Sequence, residues 1–187
     1  MRNKLNKQTG VALMALLIVG FIGFCSFKIA EWKVFSNSYL SFVYPDNYVL
    51  YETEEDDTFD VSCELEDSDN DVSIAYISVT KLGDIEEIED IEDIDEILRT
   101  SVEYIRTDLL NDDDTYEDMK CGSIEQVLKG SNGGFGFSFT GTASGVSIQG
   151  DCFMGVTGTS MLSFLTVADS EPHLTQLNSI VNSIEVK

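Results

Sequence analysis

Histidine is almost absent from this chain: His173 is the single one in 187 residues. That scarcity excludes multi-histidine zinc sites in a monomer and argues against Ser-His and Cys-His catalytic pairs. His173 itself stands beside Pro172 at the start of a helical stretch and reads as a solvent-facing residue. No C-x-x-C occurs, so neither zinc-ribbon nor thioredoxin chemistry is suggested, and G-x-S-x-G, P-loop and G-x-G-x-x-G motifs are missing as well. The chain therefore reads as non-enzymatic. Cations are scarce too, with 11 Lys and Arg against 34 Asp and Glu. From Lys28 onward 8 cations face all 34 acids, a net of −26. Nucleic acid and anionic headgroups would be repelled by such a surface.

Charge is missing altogether from residues 11–27, VALMALLIVGFIGFCSF, and Arg2, Lys4 and Lys7 precede that run. As a helix it spans roughly 25 Å, slightly less than a bilayer's hydrocarbon core. The run has no polar face, which argues against a buried core helix. The pattern is that of a signal-anchor, with residues 1–10 cytoplasmic and the remainder outside. A cleaved signal peptide is the alternative, but the small-residue pairs after the run are poor: Lys28 with Ala30, or Gly23 with Cys25. Acylation of Cys25 would need a small residue before it, where Phe24 stands. Residues 28–38 read as a linker and 39–187 as one extracytoplasmic domain, long enough for a single core.

Three cysteines, Cys63, Cys121 and Cys152, fall in that domain. One disulfide with a free thiol, or no disulfide, satisfies the count. Cys63 and Cys152 sit on the apolar parity of strand-like runs, where cysteine acts as a small hydrophobe.

The run from Tyr39 to Tyr44 stops at Pro45-Asp46-Asn47. Phe59, Val61, Cys63 and Leu65 then alternate with polar residues, a half-buried strand. After a polar turn over 67–71 comes the β-branched run 72–80, so these three segments predict an antiparallel meander. Isoleucine recurs at 85, 88, 91, 94 and 97 among nine acids between 84 and 96. A strict period of three drifts around a helix, whereas Ile94, Leu98, Val102, Ile105 and Leu109 share one face. The spacing predicts a helix over about 90–110, with 84–90 as its acidic lead-in and Asp95 placed to support Arg99. Beyond the acidic turn at 111–114, Phe135, Phe137 and Phe139 alternate with small residues, and Val146, Ile148, Cys152, Met154 and Val156 share a parity broken by Gly150. Gly133-Gly134, Gly141, Gly145 and Gly158 read as hairpin turns. A strand over 161–168 follows, then a short helix capped by Ser170 with Leu174, Leu177 and Val181 on one side, and a closing edge strand at 184–186. The class is α+β: an antiparallel sheet with one main helix and a short C-terminal helix.

Three stretches carry a family resemblance. Tyr39-Leu-Ser-Phe-Val-Tyr-Pro-Asp-Asn-Tyr48 looks like an opening F-x-Y-P-x-x-W strand and turn, residues 130–141 resemble a glycine-led aromatic hairpin, and 162–186 resemble a strand, short helix and S-I/F-x-V ending. Together, over roughly residues 35–187, they resemble the PsbP-like superfamily. Its members include the extrinsic PsbP proteins of photosystem II, DcrB-type envelope proteins, mycobacterial lipid-binding lipoproteins and Mog proteins. The acidic isoleucine repeat departs from that pattern. The resemblance implies a binding or accessory role in the bacterial envelope, with an envelope protein or a small ligand as partner. An alternative lies in Asp67-Ser-Asp69-Asn-Asp71, where alternate aspartates can point at one hard cation such as calcium. Val72 occupies the position of the usual loop glycine and Ser78 that of the closing glutamate, so the polar hairpin turn competes with the metal loop. Asp112, Asp113 and Asp114 are weighed in the same way.

Overall fold

The computed structural model describes residues 31–54, 61–68, 70–82, 94–112 and 115–187, with the backbone alone for Glu54, Asn70 and Asp71. The expected anchor over 11–27, Phe59 and the acidic lead-in of the main helix lie outside the described residues. No described helix is long and apolar enough to cross a membrane.

Strict alternation builds the centre of the fold. Strands β4 (Val61–Asp67) and β10 (Ser160–Ala168) bury every second side chain, as period-two patterning requires. With β3 (Tyr48–Glu54), β5 (Asn70–Lys81), β6 (Tyr116–Cys121), β7 (Glu125–Lys129), β8 (Asn132–Ala143) and β9 (Val146–Thr157) they form an eight-stranded sheet. Its order is β3-β4-β5-β10-β9-β8-β6, and every pairing is antiparallel. The outer edge of the long β8 is shared, with β6 on residues 139–143 and β7 on residues 132–136. A second sheet is small: β1 (Trp32–Ser36), β2 (Leu40–Pro45) and β11 (Glu185–Val186), ordered β1-β2-β11.

The two helices among the described residues cover opposite faces of the large sheet. α1 (Ile94–Asn111) lays Leu98 and Val102 onto Phe137, Phe139, Ile148, Cys152 and Met154, with Ile105 and Leu109 alongside. That is the face expected from the 94, 98, 102, 105, 109 spacing. The ion pair on this helix is Glu103 with Arg106 at 3.0 Å, not Asp95 with Arg99. α2 (Glu171–Asn182) and β2 cover the other face, where Leu177, Ile180 and Val181 meet Phe153, Leu162 and Phe164. Each such buried aliphatic side chain contributes about 1.5–3 kcal/mol relative to exposure.

Four expectations are corrected. The stretch read as a linker contains β1, whose Phe35 ring packs 5.0 Å from that of Phe42 at a tilt of 35°. The predicted meander is rewired, because β2 leaves for the small sheet and β3 takes its place beside β4. Gly133, Gly134 and Gly141 lie inside β8 rather than in turns; Gly145 and Gly158 do turn the chain, both at positive φ. Ser170 occupies the N-cap position of α2, yet its hydroxyl makes no capping bond. The gap that Gly150 leaves in the parity of β9 also has a cause. A Cβ there would run into the Phe139 ring, which lies across the glycine from the paired position on β8.

Candidate functional site

Where α2 stops covering its face of the sheet, a charged pair is left half-buried. Lys129 at the end of β7 donates to Asp151 Oδ2 on β9 at 3.2 Å and to Asn178 Oδ1 on α2 at 3.1 Å. The Ser138 hydroxyl on β8 donates to Asp151 Oδ1 at 2.6 Å, and the Asp151 N–H donates to Thr166 Oγ1 on β10 at 3.1 Å. The Lys129 ammonium also lies 5.9 Å from the centre of the Phe164 ring. The two side chains are 20 % and 13 % exposed. Burial pushes the Asp151 carboxyl up, but the Ser138 hydrogen bond and the Lys129 charge outweigh it and hold the group below the ordinary carboxylate range.

Next to this pair the sheet carries no side chain at Gly136, where a Cβ would strike the Cys152 carbonyl oxygen. The result is a recess of about 210 Å³ with Ser123, Glu125 and Val127 on its far wall. Ser123 donates to Glu125 Oε1 at 3.1 Å. Glu125 and Asp151 bring carboxylates to the lining, and its one cation, Lys129, is already shared by Asp151 and Asn178. Such a wall suits a small ligand bearing N–H donors or positive charge. A wider depression of about 540 Å³ lies at the start of α2, between Lys120, Gln149 and Glu171.

The aspartates singled out by the sequence go elsewhere. Asp67 is 5 % exposed and turned inward on the parity of Cys63 and Leu65, opposite Tyr48. Asp69 and the side chain of Asp71 lie outside the described residues. Among the described residues no three His, Cys, Asp or Glu side chains gather in a way that could hold a metal ion. Asp112 accepts the Thr115 N–H at 3.1 Å, a local turn bond. His173 is half-buried, its Nδ1 2.7 Å from Asp169 Oδ1, so it is a tethered residue rather than a solvent-facing one. Near this end of the sheet the phenol oxygen of Tyr48 and the hydroxyl of Ser73 are buried without hydrogen-bond partners. Burial, with the charges of Asp67 and Asp169 nearby, pushes the Tyr48 phenol far up.

All three domain cysteines are free. Cys63 and Cys152 are buried as their parity predicts, and Cys121 is half-buried. Sequence reading missed Lys129, Ser138, Asp151 and Asn178, because the four come from three strands and a helix. A partial signal existed: Asp151 and Gln149 stand on the second parity of β9, together with the buried Phe153.

No family model matches this chain, and no curated protein matches it by sequence. The backbone is more informative: a large antiparallel sheet between two helices, with a small sheet at one side, is a PsbP-like fold. Its similar structures include the solution structure of cyanobacterial PsbP (CyanoP) from Synechocystis sp. PCC 6803. The TM-score is 0.55 at 9 % identity, over 87 % of this chain and 96 % of that one. A crystal structure from Bacteroides thetaiotaomicron VPI-5482 is similar at a TM-score of 0.50 and 14 % identity, over 84 % of this chain and 48 % of that one. At these identities the likeness is one of fold.

Proposed function

We propose that this protein is a non-enzymatic binding or accessory module of the bacterial envelope, held at the outer face of the membrane by residues 11–27. Its N-terminus lies in the cytoplasm, and its PsbP-like domain receives a small polar or cationic ligand in the recess beside Lys129 and Asp151. The observation that carries the reading is the order of parts. Arg2, Lys4 and Lys7 precede seventeen uncharged residues, and all 34 acids follow on one acidic domain. The fold supports an accessory or binding role, and the acceptor-rich wall of the recess supports the ligand class.

Two measurements test it. Full-length protein should stay with membranes through alkaline carbonate extraction, whereas a soluble species beginning near Ser26 or Glu31 would replace the anchor with a cleaved signal. In a thermal-shift screen of small amines, amino acids and organic acids, stabilisation should favour the amines and weaken in Glu125→Gln. If the acids stabilise instead, or the effect survives Glu125→Gln unchanged, the recess is not the site.

A further inference from the structure

The outer face of the small sheet exposes two large apolar side chains, Trp32 and Val34. Antiparallel register places Val34 opposite Val43 and Trp32 opposite Pro45 on one face, while Phe35 and Phe42 turn to the core on the other. Trp32 is 49 % and Val34 74 % exposed. Val43 is half-buried and Pro45 buried, and an exposed tryptophan and valine on one sheet face are unusual in a chain this acidic.

Charges of both signs stand at this corner: Glu31 adjoins Trp32, and Glu185 of β11 pairs with Ser41, on the parity of Val43. Lys33 is turned to the other face, where it donates to the Asp46 carbonyl and lies 5.8 Å from the Tyr44 ring centre. Lys187 donates to Ser36 Oγ and to the Asn37 carbonyl. Both ammoniums thus bind neutral oxygens, and they are two of only 8 cations from Lys28 onward. The covalent tether is short as well. The apolar run ends at Phe27, five residues before Trp32, and five extended residues reach at most about 18 Å. Trp32 cannot leave the neighbourhood of the headgroups, the layer where tryptophan side chains concentrate.

We propose that the outer face of β1 and β2 lies against the lipid headgroup layer, with Trp32 and Val34 seated in it and Lys187, bonded to Ser36 on the same parity, at its margin beside the phosphates. The inference rests on the membrane insertion of residues 11–27 proposed above. It turns the small sheet toward the bilayer and gives the domain a fixed orientation. A flexible stalk would leave this face in water.

Trp32 is the only tryptophan, so native fluorescence reports this face directly. Full-length protein is reconstituted in phosphatidylcholine vesicles doped with a headgroup-proximal nitroxide lipid. Emission is read for wild type, for Val34→Trp in a Trp32→Phe background, and for Val146→Trp in the same background as a reference distant in sequence. Positions 32 and 34 should both be quenched by the nitroxide lipid and shielded severalfold from acrylamide relative to position 146. Val34 is exposed enough that its replacement should leave thermal unfolding unchanged. If position 34 is as open to acrylamide as position 146 while the protein resists carbonate extraction, the anchor stands and the docked face fails. If carbonate releases the protein, the anchor fails and the docked face with it.

Discussion

Asp151→Asn removes one charge from a half-buried pair and leaves the shape almost unchanged. The wild-type carboxylate accepts one bond from Ser138 and one from Lys129; the amide keeps an acceptor for one of them and confronts the Lys129 ammonium with a neutral group. Charge-assisted bonds contribute about 1.5–3 kcal/mol each, and breaking a fully buried pair costs about 3–5 kcal/mol. With both side chains slightly open to water, the expected loss is about 2 kcal/mol, or roughly 4–8 °C in Tm for a domain of this size. The pH dependence is the sharper readout. The folded carboxyl of Asp151 titrates below its ordinary value, so its contribution is complete above the unfolded aspartate value of about 3.9 and fades as pH falls through the folded one. Urea midpoints followed by circular dichroism in mild detergent should therefore separate wild type from Asp151→Asn at pH 7 and converge below pH 4. Lys129→Met should give a non-additive double mutant with Asp151→Asn. If the two midpoint curves run parallel from pH 7 to pH 3, the carboxylate is not held as the geometry says.

Gly150→Ala places a Cβ against the Thr166 carbonyl oxygen and the Phe139 ring, so a loss of about 1–3 kcal/mol is expected. Adding Phe139→Leu should recover part of it, and an unchanged melting curve would contradict the β8–β9 register. The thiols of Cys63 and Cys152 are pushed up to about 12, chiefly by burial, and so remain neutral and unreactive at pH 8. Peptide-resolved alkylation should label half-buried Cys121 first and reach the other two after urea is added; early labelling of Cys152 would count against its packing beneath α1.

Much of this architecture is written in local periodicity. The period-two burial of β4 and β10 and the single apolar face of α1 follow from residue order, because a half-buried strand or helix must repeat its apolar side chains at its own period. Cys63 and Cys152 are core residues for the same reason. The family likeness rested on similarly local wording, around Pro45 and along the ending at 162–186, and the backbone bears it out as a PsbP-like fold. The anchor reading belongs wholly to the sequence, since residues 11–27 are outside the described ones.

Four strands left no such trace. β1 and β7 keep most of their side chains in water and β6 half of its own, so selection on one face never produced a strong alternation. β3 runs along an edge, with Val49 and Tyr51 exposed. Which strand β2 joins was likewise undetermined, because both β1 and β4 offer an antiparallel partner and only the docking of α2 and β11 selects the first. The charged pair is the clearest case of tertiary decision. Lys129 and Asp151 are distant in sequence, neither stands in a motif, and their meeting depends on β7 sharing the edge of β8 at the flank of α2. Sequence determined which faces are apolar, because burial acts on each segment alone. Only the tertiary structure decided which polar groups meet where an apolar face ends, because that depends on the register of segments that do not adjoin in the chain.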